Sequence, residues 1–132
     1  MLFRSGGTAV SRAHRAEPLV HQIQNVGDDV VRFVAAEARA RPPQVQARPL
    51  SAPWHRLDWQ AERFRVYQLD SGENGCELSY GFHGLLVALQ AVELEIDGAS
   101  ATVMEAGAWR WLTPPARCRT LGPTRAIVIE WL

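Results

Sequence analysis

Residues 92–97 read Val-Glu-Leu-Glu-Ile-Asp, an aliphatic side chain alternating with an acid over six positions. Wound into a helix, that order would scatter the aliphatic groups around the axis. In a strand it puts Val92, Leu94 and Ile96 on one face and Glu93, Glu95 and Asp97 on the other. The stretch therefore demands a sheet with one dry and one wet face. Residues 85–89 are a continuous aliphatic run, joined to it by Gln90-Ala91, which predicts a hairpin whose first strand is buried on both faces. Further strands are expected at 64–69, 101–104, 108–112 and 125–132. Breaks fall at Ser71-Gly72-Glu73-Asn74-Gly75, Asp97-Gly98, Ala106-Gly107 and Gly122-Pro123, each a turn signal rooted in Gly or Pro geometry. Many short strands at spacings of roughly ten residues predict an all-β sandwich or barrel.

The chain has 132 residues, 47% of them hydrophobic, enough for one compact domain with a genuine core. Its clearest break is RPPQVQARPLSAP, residues 41–53, where four prolines fall in thirteen residues. Proline fixes φ and withholds a backbone donor, so the stretch reads as an extended connector. Residues 30–41 have the Ala, Glu and Arg content of a helix, with Asp28 or Asp29 as its cap. Against the helix, Arg32 to Glu37 repeats the pattern of Arg125 to Glu130, with Gly27 and Gly122 shortly before each copy. That repeat favours a strand over 30–38, paired to the main barrel. The expected organisation is N-terminal strands over 1–40, a connector over 41–53 and a barrel over 54–132.

Charge excludes some partners. Fourteen basic residues, all Arg, balance fourteen acids. The chain thus lacks the basic footprint of a nucleic-acid binder or of a protein held on an anionic membrane. Residues 1–56 hold eight Arg and four acids, and residues 57–132 hold six Arg and ten acids, two parts of opposite sign that can dock within a chain or between chains. The first ten residues lack the apolar core of a signal peptide, and the run at 85–89 is too short to span a bilayer, so a soluble cytoplasmic protein is expected. Cys76 and Cys118 are too few and too far apart for a disulfide framework or a CxxC knuckle, and read as buried free thiols.

Three stretches resemble the cupin superfamily of small jelly-roll barrels. His21-Gln22-Ile23-Gln24-Asn25, followed by Gly27-Asp28, is similar to the His-x-x-x-Asn end of the second cupin motif; residues 72–89 resemble the first motif and residues 107–123 the second. The resemblance implies a cupin-like double-stranded β-helix, or jelly-roll barrel, with extra N-terminal strands. It is the picture of a two-cupin protein whose first unit has shrunk to its last strands, which would cover exposed sheet edges. Cupin enzymes hold Fe, Mn, Ni or Zn with two or three His and a Glu. Here the likeness sets Leu78 and Tyr80 at the His-x-His positions and Arg119 at the second-motif His, a fixed positive charge where the cation would sit. No metal and no cofactor are therefore expected. A scattered set of His21 or His83 with Cys76 or Cys118 is the remaining alternative.

Trp109 and Trp111 stand two apart on a predicted strand and share a face, leaving Arg110 on the other. Core packing and the lining of a pocket both fit that pair. In a barrel without metal, Tyr80, His83, Trp109, Trp111 and Arg119 would form an aromatic pocket with one fixed charge, suited to a small anionic or carboxylate ligand. His14 and His55 read as surface residues, and His21 as a structural hydrogen-bonding group. The sequence reads as a small-molecule-binding or assembly module that has lost the usual metal site, as a homodimer, with neither nucleic acid nor membrane as partner. The rival is a metal-dependent enzyme of the dioxygenase or isomerase type with non-standard ligands.

Overall fold

In the computed structural model the residues described are 28–30, 34, 36 and 40–132. They contain nine strands, numbered in chain order: β1 His55–Gln60, β2 Phe64–Ser71, β3 Glu77–Tyr80, β4 Gly84–Ala88, β5 Val92–Ile96, β6 Thr102–Met104, β7 Trp109–Leu112, β8 Ala116–Thr120 and β9 Thr124–Trp131. They form a five-stranded sheet, β1-β2-β9-β4-β7, and a four-stranded sheet, β3-β8-β5-β6. All pairings are antiparallel, and they nest: β2 with β9, β3 with β8, β4 with β7 and β5 with β6. The chain is thus one long hairpin rolled up on itself, the jelly roll that defines the double-stranded β-helix. No helix among the described residues is long and apolar enough to cross a membrane.

The tip of that hairpin is the predicted Asp97-Gly98 turn. Both residues have positive φ, 50° and 75°, the combination that suits a tight turn between twisted antiparallel strands. The Ala99 N–H closes it by donating to the Ile96 carbonyl at 2.9 Å. A second sequence expectation fails here. Strands β4 and β5 do not form a hairpin, because Gln90-Ala91 carries the chain from the five-stranded to the four-stranded sheet. The apolar run still has its two buried faces: Leu86 and Ala88 enter the barrel core, while Leu85 and Val87 join a second cluster on the outside of the five-stranded sheet.

The connector is not a free spacer. Leu50 packs against the barrel core, and the segment from Pro42 to Ala47 runs past the loop that joins β3 to β4. Val34, further back, packs on the outer cluster. His14, His21 and most of the strand predicted over 30–38 lie outside the described residues.

Candidate functional site

Strand parity decides what faces the barrel interior. In β3, Leu78 and Tyr80 point in and are buried; in β8, Ala116, Cys118 and Thr120 point in, while Arg117 and Arg119 are exposed. Arg119 sits on the outside of the four-stranded sheet with its guanidinium 3.8 Å from Glu95. The expected fixed charge inside the barrel is therefore misplaced by one residue, and a one-residue offset in a strand changes the face. Cys118 takes the inward place.

Tyr80 is fully buried, and its hydroxyl lies 2.9 Å from His55 Nε2. The other ring nitrogen, Nδ1, is 2.9 Å from the Pro53 carbonyl. A carbonyl only accepts, so Nδ1 carries the proton and the Tyr80 hydroxyl donates to Nε2. Burial lowers the His55 pKa from its ordinary value, partly offset by the Pro53 bond, and burial raises that of Tyr80. His55 is thus half buried, neutral and part of the interior wall, where the sequence reading put a surface residue. Its ring stands edge-on to Tyr67 and Tyr80, and Phe82 fills the space between those tyrosines, with centroids 6.3 and 5.4 Å away.

A metal does not fit this interior. Among the described residues no three His, Cys, Asp or Glu side chains are placed to share an ion. Leu78 has no lone pair, the Tyr80 phenol is held protonated, and burial pushes the Cys118 thiol up to about 11, away from the thiolate a metal needs.

The sequence reading missed the polar heart of the barrel. Arg65 on β2 and Glu130 on β9 stand opposite each other across a ladder pair, with Arg65 only 5% exposed and Glu130 fully buried. Arg65 Nη1 donates to Glu130 Oε1 at 3.1 Å, and the Tyr67 hydroxyl donates to Glu130 Oε2 at 2.6 Å. Burial, reinforced by that bond, pushes the Tyr67 phenol up to about 12. The Glu130 carboxyl is also raised, burial outweighing the opposing pull of Tyr67 and Arg65. The remaining bonds of the group reach the connector: Arg65 Nη1 to the Gln46 carbonyl at 2.9 Å, Nη2 to the Ala47 carbonyl at 3.2 Å, and the Leu50 N–H to the Tyr67 oxygen at 2.9 Å. The cross-strand Arg–Glu pair could have been read from the sequence once β2 and β9 were set antiparallel.

Trp109 and Trp111 do share a face, but it is the outer face of the five-stranded sheet, where they are 49% and 63% exposed. A row of aromatic rings crosses that face: Trp109 to Trp111 at 5.9 Å between centroids, Trp111 to Trp131 at 5.7 Å, and Trp131 to Phe64 at 5.6 Å. At one end a cleft of about 200 Å³ opens between the connector and the sheet, lined by Arg41, Pro42, Pro43, His83, Trp111 and Trp131 among others. The five expected pocket residues therefore do not share a cavity. His83 and Trp111 meet at the cleft, Trp109 adjoins it through Trp111, Tyr80 is inside the barrel and Arg119 is on the opposite sheet.

No family model and no curated protein matches the sequence. Among solved structures the fold is similar to a Neisseria meningitidis protein, with a TM-score of 0.51 at 9% identity over 64% of this chain and 89% of that one. The Clostridium difficile EutQ protein aligns at 0.49 and 11% identity over 58% of this chain, which spans 65% of that protein, less than two thirds. An RmlC-like cupin from Desulfovibrio desulfuricans aligns at 0.46 and 19% over 67% of this chain and 97% of that one. At these identities the likeness is one of fold. Strand order and nesting define a cupin-fold jelly-roll barrel. Among the described residues, the interior of this barrel holds aromatic rings beside the buried Arg65–Glu130 ion pair.

Proposed function

We propose that the chain is an assembly module that pairs with a second copy through the outer face of its five-stranded sheet. The aromatic row from Trp109 to Phe64 carries this reading, because half-exposed tryptophans side by side are costly to leave in water and are typical interface anchors. A tryptophan presents about 200 Å² of surface, so covering the exposed half of one contributes roughly 2–3 kcal/mol. Two from each copy give about 10 kcal/mol, comparable with the roughly 4–15 kcal/mol that association costs. At the low end of that cost about 6 kcal/mol remains, a weak dimer with a dissociation constant on the order of tens of micromolar, and a two-fold axis lets one face serve both partners. Light scattering should find a dimer for the wild type and a monomer for Trp109→Lys/Trp111→Lys with unchanged circular dichroism. A wild type that stays monomeric, or a double variant that stays dimeric, refutes the reading.

The cleft favours a second reading, a small carboxylate ligand with an apolar body. Arg41 would receive the carboxylate and Trp111 and Trp131 the apolar part, with His83 alongside. Titrating benzoate while following tryptophan fluorescence tests it, and Arg41→Ala should abolish the response. The metal-enzyme alternative is judged by elemental analysis of untagged protein. One equivalent of Fe, Mn, Ni or Zn would put it first.

A further inference from the structure

The connector is held in an unusual way. Arg65 offers two arms of its guanidinium fork to two successive carbonyls, those of Gln46 and Ala47, and Tyr67 accepts the N–H of Leu50. All three bonds go to main-chain groups. Val45, Ala47 and Arg48 remain exposed, and Leu50 supplies the apolar anchor. The barrel thus reads this segment by its backbone.

The charge state of the site narrows what it accepts. Glu130, fully buried, neutralises Arg65 at 3.1 Å. A carboxylate ligand would face Glu130 and gain little from the guanidinium, whereas a neutral peptide carbonyl meets two positioned donors without adding charge. The Tyr67 hydroxyl spends its proton on Glu130, so its oxygen is left to accept from an amide. Two successive acceptors followed three residues later by a donor match a bent main chain, and residues 46–50 bend at Ala47 and Arg48.

A separate observation bears on how firmly the connector is seated. Where it joins β1, Trp54 has φ of +69°, a left-handed conformation that a bulky side chain adopts only under constraint. The turn is closed by His55 N–H to the Ala52 carbonyl at 3.3 Å, and the Trp54 carbonyl accepts from Asp70 N–H at 3.0 Å, which ties the turn to β2.

We propose that the Arg65–Glu130–Tyr67 end of the barrel is a binding site for a bent peptide main chain, read through its neutral carbonyl and amide groups, filled in one chain by its own residues 46–50 and open to the same segment of a second copy. The fit of that segment is given by the structure, and a second copy carries it unchanged, which makes connector exchange between protomers the simplest occupancy in trans. It deepens the assembly reading but uses a different part of the barrel, so the two fail separately.

The test uses the full-length chain and a fluorescein-labelled peptide of residues 41–53, followed by anisotropy. Leu50→Pro removes the amide donor from the chain's own connector, and Leu50→Ala loosens its apolar anchor with less risk to folding. Either variant should capture the peptide at least ten-fold more tightly than wild type, whose connector competes from the same chain. Adding Tyr67→Phe should weaken capture by roughly two- to ten-fold, and N-methylation of the peptide at Leu50 by the same factor, with no further loss when both are combined. Serine at Val45 and Arg48 of the peptide should leave capture unchanged. A folded Leu50→Ala variant that ignores the peptide, losses that add, or dependence on those exposed side chains would overturn the site. With Trp109→Lys/Trp111→Lys present in both chains to remove pairing through the outer face, a mixture of chains with and without Leu50→Ala should form dimers that excess peptide dissolves; dimers that resist the peptide overturn the second-copy assignment. Trp109→Lys/Trp111→Lys should leave peptide capture intact.

Discussion

Replacing Arg65 by Met keeps much of the volume of a nearly buried side chain and removes its charge and its donors. Three acceptors lose partners: Glu130 Oε1 and the Gln46 and Ala47 carbonyls. The carbonyls lie on the connector and can turn to water, so the damage concentrates at Glu130, which keeps the Tyr67 hydroxyl as its donor. Removing one member of a buried pair costs about 3–5 kcal/mol. At roughly 4–8 °C per kcal/mol for a barrel of this size, Tm should fall by about 12 °C or more. The reciprocal change leaves the opposite charge behind. In Glu130→Gln the guanidinium keeps two carbonyl acceptors but cannot shed its charge, so removing this member of the pair also costs about 3–5 kcal/mol. The two deficits differ in their response to pH. Glu130 already titrates above its ordinary value of 4.5, and losing Arg65 raises it further. A carboxyl with a raised folded pKa contributes fully below the unfolded value and loses that contribution as pH climbs through the folded one. The Arg65→Met deficit should therefore shrink as pH falls from 7 towards 4.5. Urea unfolding followed by tryptophan fluorescence at pH 7 and 5 measures both effects. An Arg65→Met deficit that does not respond to acid, or a Glu130→Gln deficit that shrinks with it, would refute the reasoning.

His55 is neutral in the fold and its pKa is lowered by burial, so the unfolded chain binds the extra proton first; stability should fall as pH drops from about 6.5 to the lowered folded value and then level off. His55→Gln should flatten that part of the stability–pH curve, and an unchanged slope would exclude His55 as its source. Gly84 stands where an added Cβ would lie 2.1 Å from the Ile129 carbonyl oxygen, inside the β4–β9 ladder, whereas nothing lies near a Cβ at Gly72. Gly84→Ala should cost roughly 1–3 kcal/mol or more in urea unfolding, and Gly72→Ala less than about 1 kcal/mol.

The reading of local pattern succeeded where side chains alternate against a core. The 92–97 stretch became β5, the aliphatic run became the doubly buried β4, and Asp97-Gly98 became the hairpin tip. Three strands escaped notice. Strand β1, His55–Gln60, is an exposed edge with no dry face to impose a pattern. Strands β3 and β8 were read as motif segments, and setting Arg119 at a ligand position misplaced the inward residue by one, although Ala116, Cys118 and Thr120 alternate cleanly. In a strand that slip exchanges core for solvent.

What the sequence determined by itself was which residues alternate, where glycine and proline break the runs, and hence a rolled sheet of short strands. Period two also put Trp109 and Trp111 on one face. Which face that was depended on the sheet that receives β7 and on what covers it, and no local pattern carries that information. The pairing of Arg65 with Glu130, 65 residues apart, and the seating of residues 46–50 on that pair likewise exist only once β2 and β9 close the barrel. A buried charge is tolerable only with a partner and its hydrogen bonds in place, and here folding brings that partner from the far end of the chain.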